Sequence, residues 1–305
     1  MLLLTCLTSQ LTFKINLMKT KLLFILSFIT MVFFFDCTPK SEKNVAVVEE
    51  ETTSNPAIKK IAELKSAGYE IVDYHGHLKG GLTMEELLDH SKKTGIDYGV
   101  AFNAGLGFPI TDDATLMANY EKYKDYPVYI AMQAEGREWV DMFSDESIST
   151  FDYIFTDAMT WTDRKGRRMR LWMPEEVFVD DKDDFMDQLV EKIVGVMTNE
   201  PIDLYVNSTF LPEVLQAEYD ALWTEARMDK VINAAVASDV AIEINARYKI
   251  PSATFIKRAK AAGCKFSMGT NNVTNELGTL DYVLDMIDEC GLKPGDFFKP
   301  EKNKP

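Results

Sequence analysis

Seven short apolar runs, alternating with amphipathic stretches of helical period, restrict this chain to one fold class. The runs cover residues 70–74, 98–103, 128–135, 152–157, 203–207, 240–245 and 265–269. The helical stretches cover 83–94, 111–123, 183–197, 224–237, 252–262 and 279–290. Thr83, three residues before Glu86, reads as a capping box, and Gly95 and Gly263 fall at helix C-termini. A helix that returns the chain between successive strands makes those strands parallel and leaves the helices outside the sheet. No Gly-x-Gly-x-x-Gly follows any strand, so a doubly wound dinucleotide-binding sheet fits less well. The expectation is an α/β fold, a distorted TIM-like (βα)7 barrel. With 305 residues, 46% of them apolar, the chain can fill such a core.

The first strand runs into Asp73-Tyr-His75-Gly-His77, and a glycine pair, Gly80-Gly81, follows in the loop. Alternate residues of a strand share a side, so His75 and His77 project together with Asp73 behind them. That spacing suits two imidazoles on one metal ion and a carboxylate that orients one ring. A surface turn holding two histidines is the alternative. The third of the chain's three histidines, His90, falls within a helix outside the barrel and reads as structural or surface.

Asp73-x-His75-x-His77, with Thr83-Met-Glu-Glu-Leu and Gly95-Ile-Asp-Tyr after it, resembles the opening of the polymerase and histidinol phosphatase (PHP) family. Further matches follow in order: Glu135 ending the third strand, Phe151-Asp-Tyr-Ile-Phe, Ala241-Ile-Glu-Ile-Asn containing Glu243, and 262–271. The wider amidohydrolase superfamily shares the Asp-x-His-x-His start. The resemblance covers most of 70–291 and implies a seven-strand barrel with metal ions at the strand C-termini. It also implies ligands that this chain replaces. Phe102-Asn103-Ala104 stands for Thr-Asp-His, Asn207 for a histidine after the fifth strand, and Asn271-Asn272-Val273 for the last Asp-x-His. The histidine implied after the fourth strand is absent, and Asp157 and Thr160 are the polar residues nearby. One ion rather than three is what remains, with Asp73 and Glu243 behind the ligands.

His75, His77 and Glu135 all end strands on the face where barrels place active sites. Together they can hold one Zn²⁺, Mn²⁺ or Fe²⁺ and leave a position for a water made nucleophilic by the metal. Asp157 is the further candidate, as ligand or general base; a loop cap is its alternative, and pairing with Arg137 or Arg247 is the alternative for Glu135. Asn103, Asn207, Asn245 and Asn271 end strands on the same face, where amides hydrogen-bond polar ligands or simply tolerate turn geometry. Arg164-Lys-Gly-Arg167-Arg168-Met-Arg170 forms a hairpin turn at Lys165-Gly166 that could fold over the mouth. Its Arg167 and Arg168, with Arg247, are candidates for binding an anion; a solvated loop balancing Asp180, Asp181, Asp183 and Asp184 is the alternative.

Residues 1–37 read as a leader. Lys19 and Lys21 precede an apolar run, 22–35, too short for a comfortable membrane span. Met18 is the natural start of that segment. Cys37 resembles a bacterial lipoprotein's lipid-acceptor cysteine, although Asp36 replaces the usual small residue; a plain secretory signal or short anchor is the alternative. All three put the folded part outside the cytoplasm, in the cell envelope, with the membrane reached only through the N-terminal anchor. A polar linker, 38–55, the barrel, 56–292, and a polar tail, 293–305, follow. Cys264 and Cys290 are expected as buried free thiols. The net charge of −15 argues against a general nucleic-acid binder. The sequence therefore points to an exported metal-dependent hydrolase of a small anionic substrate such as a phosphoester. The alternative is a non-catalytic lipoprotein that binds a ligand or glycan on the same barrel.

Overall fold

The structure, a computed structural model, describes residues 55–300. The expected leader 1–37, the lipid-acceptor Cys37 and almost all of the expected linker lie outside the described residues. Strands β1 (Val72–Gly76), β2 (Asp97–Gly105), β3 (Tyr129–Glu135) and β4 (Tyr153–Thr156) come first in the chain. A hairpin of β5 (Thr160–Thr162) and β6 (Arg168–Arg170) follows, then β7 (Leu204–Tyr205), β8 (Ala241–Asn245) and β9 (Phe266–Gly269). All but the hairpin close into one parallel barrel in the order β1-β2-β3-β4-β7-β8-β9. This is the expected α/β barrel of seven strands, and the hairpin turns where Lys165-Gly166 placed it.

Helices α1 (Pro56–Ser66), α2 (Met84–Thr94) and α3 (Asp113–Tyr123) precede the short α4 (Asp145–Ile148). They are followed by α5 (Lys182–Asn199), the one-turn α6 (Glu213–Gln216) and α7 (Tyr219–Leu222), then α8 (Glu225–Ser238), α9 (Ala253–Ala261) and α10 (Asp281–Glu289). The Thr83–Glu86 capping box and the left-handed Gly95 bound α2 as the sequence indicates. Helix α1 adds to the expected set: Asn55 accepts from the Ala57 N–H and Pro56 takes the first helical position. None of the helices among the described residues is long and apolar enough to cross a membrane. Cys264 and Cys290 are buried free thiols, as expected.

Inside the barrel, alternate residues sort by height. The lower layer is apolar and contains Ala101, Ala131, Tyr153, Phe155, Leu204, Val206 and Ala241. One pleat further along the same strands come Asn103, Gln133 and Glu135, Asp157, and Glu243 and Asn245. The polar layer thus sits at the C-terminal ends of the strands, on a close-packed apolar floor. Three expectations shift. Strand β7 is only two residues long because Asn207 turns left-handed at φ 52° and its N–H goes to Glu243. Register slips between Asp73 and Gly76, a bulge that breaks strict alternation in β1. The residues expected as a polar tail from 293 onward begin as part of the barrel. The Phe298 N–H bonds the Phe266 carbonyl, and its ring packs edge-on against Tyr74 and Tyr153 at the closed end.

Gly269 shows how tightly the upper layer is built. A Cβ there would stand 2.0 Å from Glu243 Oε1 and 2.8 Å from the His75 Cβ. Neither neighbour can retreat from the buried His75–Glu243 hydrogen bond. Gly269→Ala is therefore expected to cost at least about 2 kcal/mol in chemical denaturation, and a loss below about 0.5 kcal/mol would contradict this packing.

Candidate active site at the barrel mouth

The polar layer opens into a pocket of about 600 Å³ at the C-terminal ends of the strands. Its lining brings together six of the residues singled out from sequence: Asn103, Glu135, Asp157, Asn207, Arg247 and Asn271. It adds Lys79, Gln133, Phe108, Met159, Leu171, Trp172 and Tyr248, which sequence reasoning passed over. Lys79 sits in the loop after β1, held by Gly80. A Cβ on Gly80, at φ 64°, would strike the Thr274–Asn275 backbone at 2.7–2.9 Å. Asn272 clamps the same loop, accepting from the His77 N–H at 2.7 Å and donating to the His77 carbonyl at 2.9 Å.

His75 and His77 lie beneath the pocket, 0% and 1% exposed. His75 Nδ1 donates to Glu243 Oε1 at 2.6 Å, and His77 Nδ1 donates to the Ala101 carbonyl at 3.0 Å. Both Nε2 atoms are buried without a partner. Burial, with His75 and Lys79 nearby, holds the His77 imidazole well below the usual histidine range. Sequence spacing put Asp73 behind a ring, but the bulge changes its work. Asp73 accepts from the His75 backbone N–H and from Thr270, through its N–H at 3.0 Å and its hydroxyl. The carboxylate that fixes an imidazole is Glu243.

Glu243 is 1% exposed. Burial opposes its charge, but His75, the Asn207 N–H at 2.9 Å and Asn245 Nδ2 at 2.9 Å outweigh that and hold its carboxyl below the usual range. Asn207 passes the network on. Its Nδ2 donates to Asp157 Oδ2 at 2.8 Å, and its oxygen accepts from Asn245 at 3.1 Å and Asn271 at 3.3 Å. Asp157 Oδ1 takes the Met159 N–H at 2.9 Å, so the loop-cap role foreseen for Asp157 exists beside its place in the pocket.

Glu135 accepts from Asn103 Nδ2 at 2.6 Å. Arg137 instead binds Glu200 at 2.6 Å and the Asp157 carbonyl at 2.8 Å, so the expected alternative of an Arg137 partner for Glu135 does not occur. Burial first, then the charge of Asp157, pushes the Glu135 carboxyl up to about 8. Burial also raises Asp157, against the Met159 and Asn207 hydrogen bonds that favour its charge. The two titrate together, and near neutrality the pair retains a proton. At the rim, Lys79 and Arg247 have no carboxylate partner among the described residues; Arg247 donates to the Asn271 carbonyl at 3.3 Å and lies over the Tyr248 ring.

The hairpin arginines go elsewhere. Arg167 binds Asp163 at 2.7 Å and Asp180 at 2.6 Å, Arg168 binds Glu138 at 2.5 Å, and Arg170 binds Glu176. Arg167 and Arg168 are therefore outside the pocket, balancing acids that include the expected Asp180, and the cations that do line the pocket are Lys79 and Arg247. The hairpin's contribution to the mouth is the stretch just beyond it, Leu171 and Trp172.

The donor set for a metal can be judged from these contacts. Two imidazoles with tied Nδ1 and unpartnered Nε2 have the form of metal ligands. Among the described residues, however, no three His, Cys, Asp or Glu side chains gather at one point. The trio His75, His77 and Glu135 does not assemble, because Glu135 belongs to the pocket and the imidazoles lie below it. The residues do not fit a resident three-donor metal centre.

Neither a protein-family model nor any curated protein sequence matches this chain. Among solved structures, it is similar to the histidinol phosphate phosphatase of Lactococcus lactis subsp. lactis, solved with zinc, L-histidinol and phosphate. That likeness has a TM-score of 0.52 at 12% identity and covers 76% of this chain and 99% of that one. At this identity the likeness establishes the fold alone, a closed parallel seven-strand α/β barrel. A second similarity, to a chain of archaeal ribonuclease P with mature tRNA, has a TM-score of 0.35 at 13% identity and covers 74% of this chain and 89% of that one; it carries no argument.

The Glu135 shift has a consequence for stability. Its carboxyl is at about 8 in the folded chain against the usual 4.5. Between those values the folded state binds the extra proton, so stability falls as pH rises through the window. Glu135→Gln is expected to raise the melting temperature at pH 8–9, by at most about 5 kcal/mol of stability, with little gain at pH 4–5. Equal effects at both pH values would refute the assignment.

Proposed function

We propose that this chain is a hydrolase of the phosphoesterase type acting on a small anionic substrate at the barrel mouth. One observation carries the reading: two buried carboxyl groups, Glu135 and Asp157, whose charges raise each other's proton affinity, line the same pocket as two cations, Lys79 and Arg247, that form no salt bridge among the described residues. The fold shared with a phosphatase that was solved with phosphate supports it. Lys79 and Arg247 neutralise the phosphoryl oxygens. Asp157, whose hydrogen bonds favour the charged form, takes a proton from the attacking water. Glu135 delivers its proton to the leaving alcohol oxygen as the P–O bond breaks. The products are the alcohol and inorganic phosphate, and the pair is reset when the proton passes from Asp157 back to Glu135.

Phosphate release from a panel of phosphomonoesters tests this. Turnover is expected, with kcat lowered at least about 100-fold in Glu135→Gln and in Asp157→Asn, on variants that keep their fold. No phosphate release from any monoester would sink the reading.

The unpartnered Nε2 atoms of His75 and His77 favour a variant in which one divalent ion, zinc, manganese or iron, takes part. These two donors would supply part of its coordination, and solvent or substrate the rest. Metal analysis of protein purified without chelators should then show an ion that disappears on replacing both histidines by alanine; unchanged content in the double variant would exclude it. The amides around Asn207 favour the non-catalytic alternative, a ligand- or glycan-binding protein, in which a ligand raises thermal stability and is never turned over. Export through the leader, with a lipid on Cys37, belongs to the proposal. Palmitate labelling in a bacterial host that is lost in Cys37→Ala checks it, and labelling that persists would refute it.

A further inference from the structure

The pocket separates donors from acceptors. Its rim offers the two unpaired cations, Lys79 and Arg247, which can only donate. Deeper in, Gln133 is 7% exposed, and its Oε1 is buried with no partner. Asn103 spends its amide nitrogen on Glu135, and its oxygen has no partner among the described residues. A buried acceptor left unpaired is costly, and a ligand that brings a donor relieves the cost. Phosphoryl oxygens cannot do so, because they are acceptors too. A primary ammonium could donate, but it would share the pocket with Lys79 and Arg247. Hydroxyl groups donate without charge. Part of the lining is apolar or aromatic, including Phe108, Met159, Leu171, Phe210 and Trp172, and Trp172 remains 38% exposed. A sugar ring has both features needed: a C–H face to rest on an indole and a rim of hydroxyls to donate inward. A volume of about 600 Å³ is within the range of small-ligand sites.

We infer that the substrate is a sugar phosphate, its phosphate held by Lys79 and Arg247, its hydroxyls by Gln133 and Asn103, and its ring by Trp172. This rests on the reading of the mouth as a phosphoester site but adds what the alcohol is.

Phosphonate analogues, which cannot be hydrolysed, test the inference independently of turnover. Isothermal titration of the full chain at pH 7 would compare the phosphonate analogue of glucose 6-phosphate with ethylphosphonate, 2-aminoethylphosphonate and inorganic phosphate. The sugar phosphonate is expected to bind at least 10-fold more tightly than the other three. Gln133→Met should erase most of that preference, and Trp172→Ala, at the exposed mouth, should weaken the sugar analogue more than ethylphosphonate. Equal binding of all four, tighter binding of the aminoethyl compound, or no binding at all would overturn the inference. Selective binding by a chain that never releases phosphate would defeat the hydrolase reading and leave this one standing. Turnover of phosphomonoesters without selectivity would defeat this one alone.

Discussion

Glu243 is the interaction on which the barrel mouth depends. A carboxylate almost wholly removed from water must be met by donors, or it is expelled or neutralised. Here three donors come from three places: the His75 ring on β1, the Asn207 backbone after β7, and the Asn245 amide on β8. Gly269 on β9 leaves the room. One buried charge thereby ties the closing strands β1, β8 and β9 to the end of β7. Replacing any of its donors by an apolar group would leave that charge under-satisfied at the centre of the sheet, a defect of several kcal/mol.

From Glu243 the network reaches the pocket through Asn207. Left-handed backbone at this residue aims its N–H inward at Glu243 while its side chain reaches Asp157. The same residue therefore stabilises one carboxylate below the floor and one in it. Glu135 is buried, has Asn103 as its one hydrogen-bond donor among the described residues and faces the charge of Asp157, so it is the member of the pair left holding the proton. Two carboxyl groups on neighbouring strands acquire different roles from the number of donors each receives.

Much of this was legible in the chain. Strand–helix alternation placed all seven barrel strands, and strand-end position picked out Glu135, Asp157, Asn103, Asn207 and Asn271. What was missed has identifiable causes. The bulge in β1 depends on the β2 register, which no local pattern in 71–77 encodes, so Asp73 was expected beside Glu243 to orient an imidazole, where Glu243 alone does so. The hairpin's positive charge was visible, and so was Asp180 as one of the acids it balances, but Asp163, Glu138 and Glu176 become partners only once the chain folds back. Gln133 sits one pleat inside β3 and looks like any polar interruption of a strand. Lys79 follows the histidine motif directly and could have been found as a cation in a glycine-bounded loop. Phe297-Phe298 was legible as an apolar pair in the supposed tail, and Asn55-Pro56 as the start of α1.

The asparagines acquire a reason from the network itself. Where the PHP pattern implies histidine, Asn207 supplies an amide that donates to Asp157 and accepts from both Asn245 and Asn271. A neutral imidazole has one donor and one acceptor, and a carboxylate has none of the donors. Of these three groups, the amide alone can serve all three partners at once. Such a floor raises the proton affinity of Glu135 first by burial and then by the negative charge of Asp157.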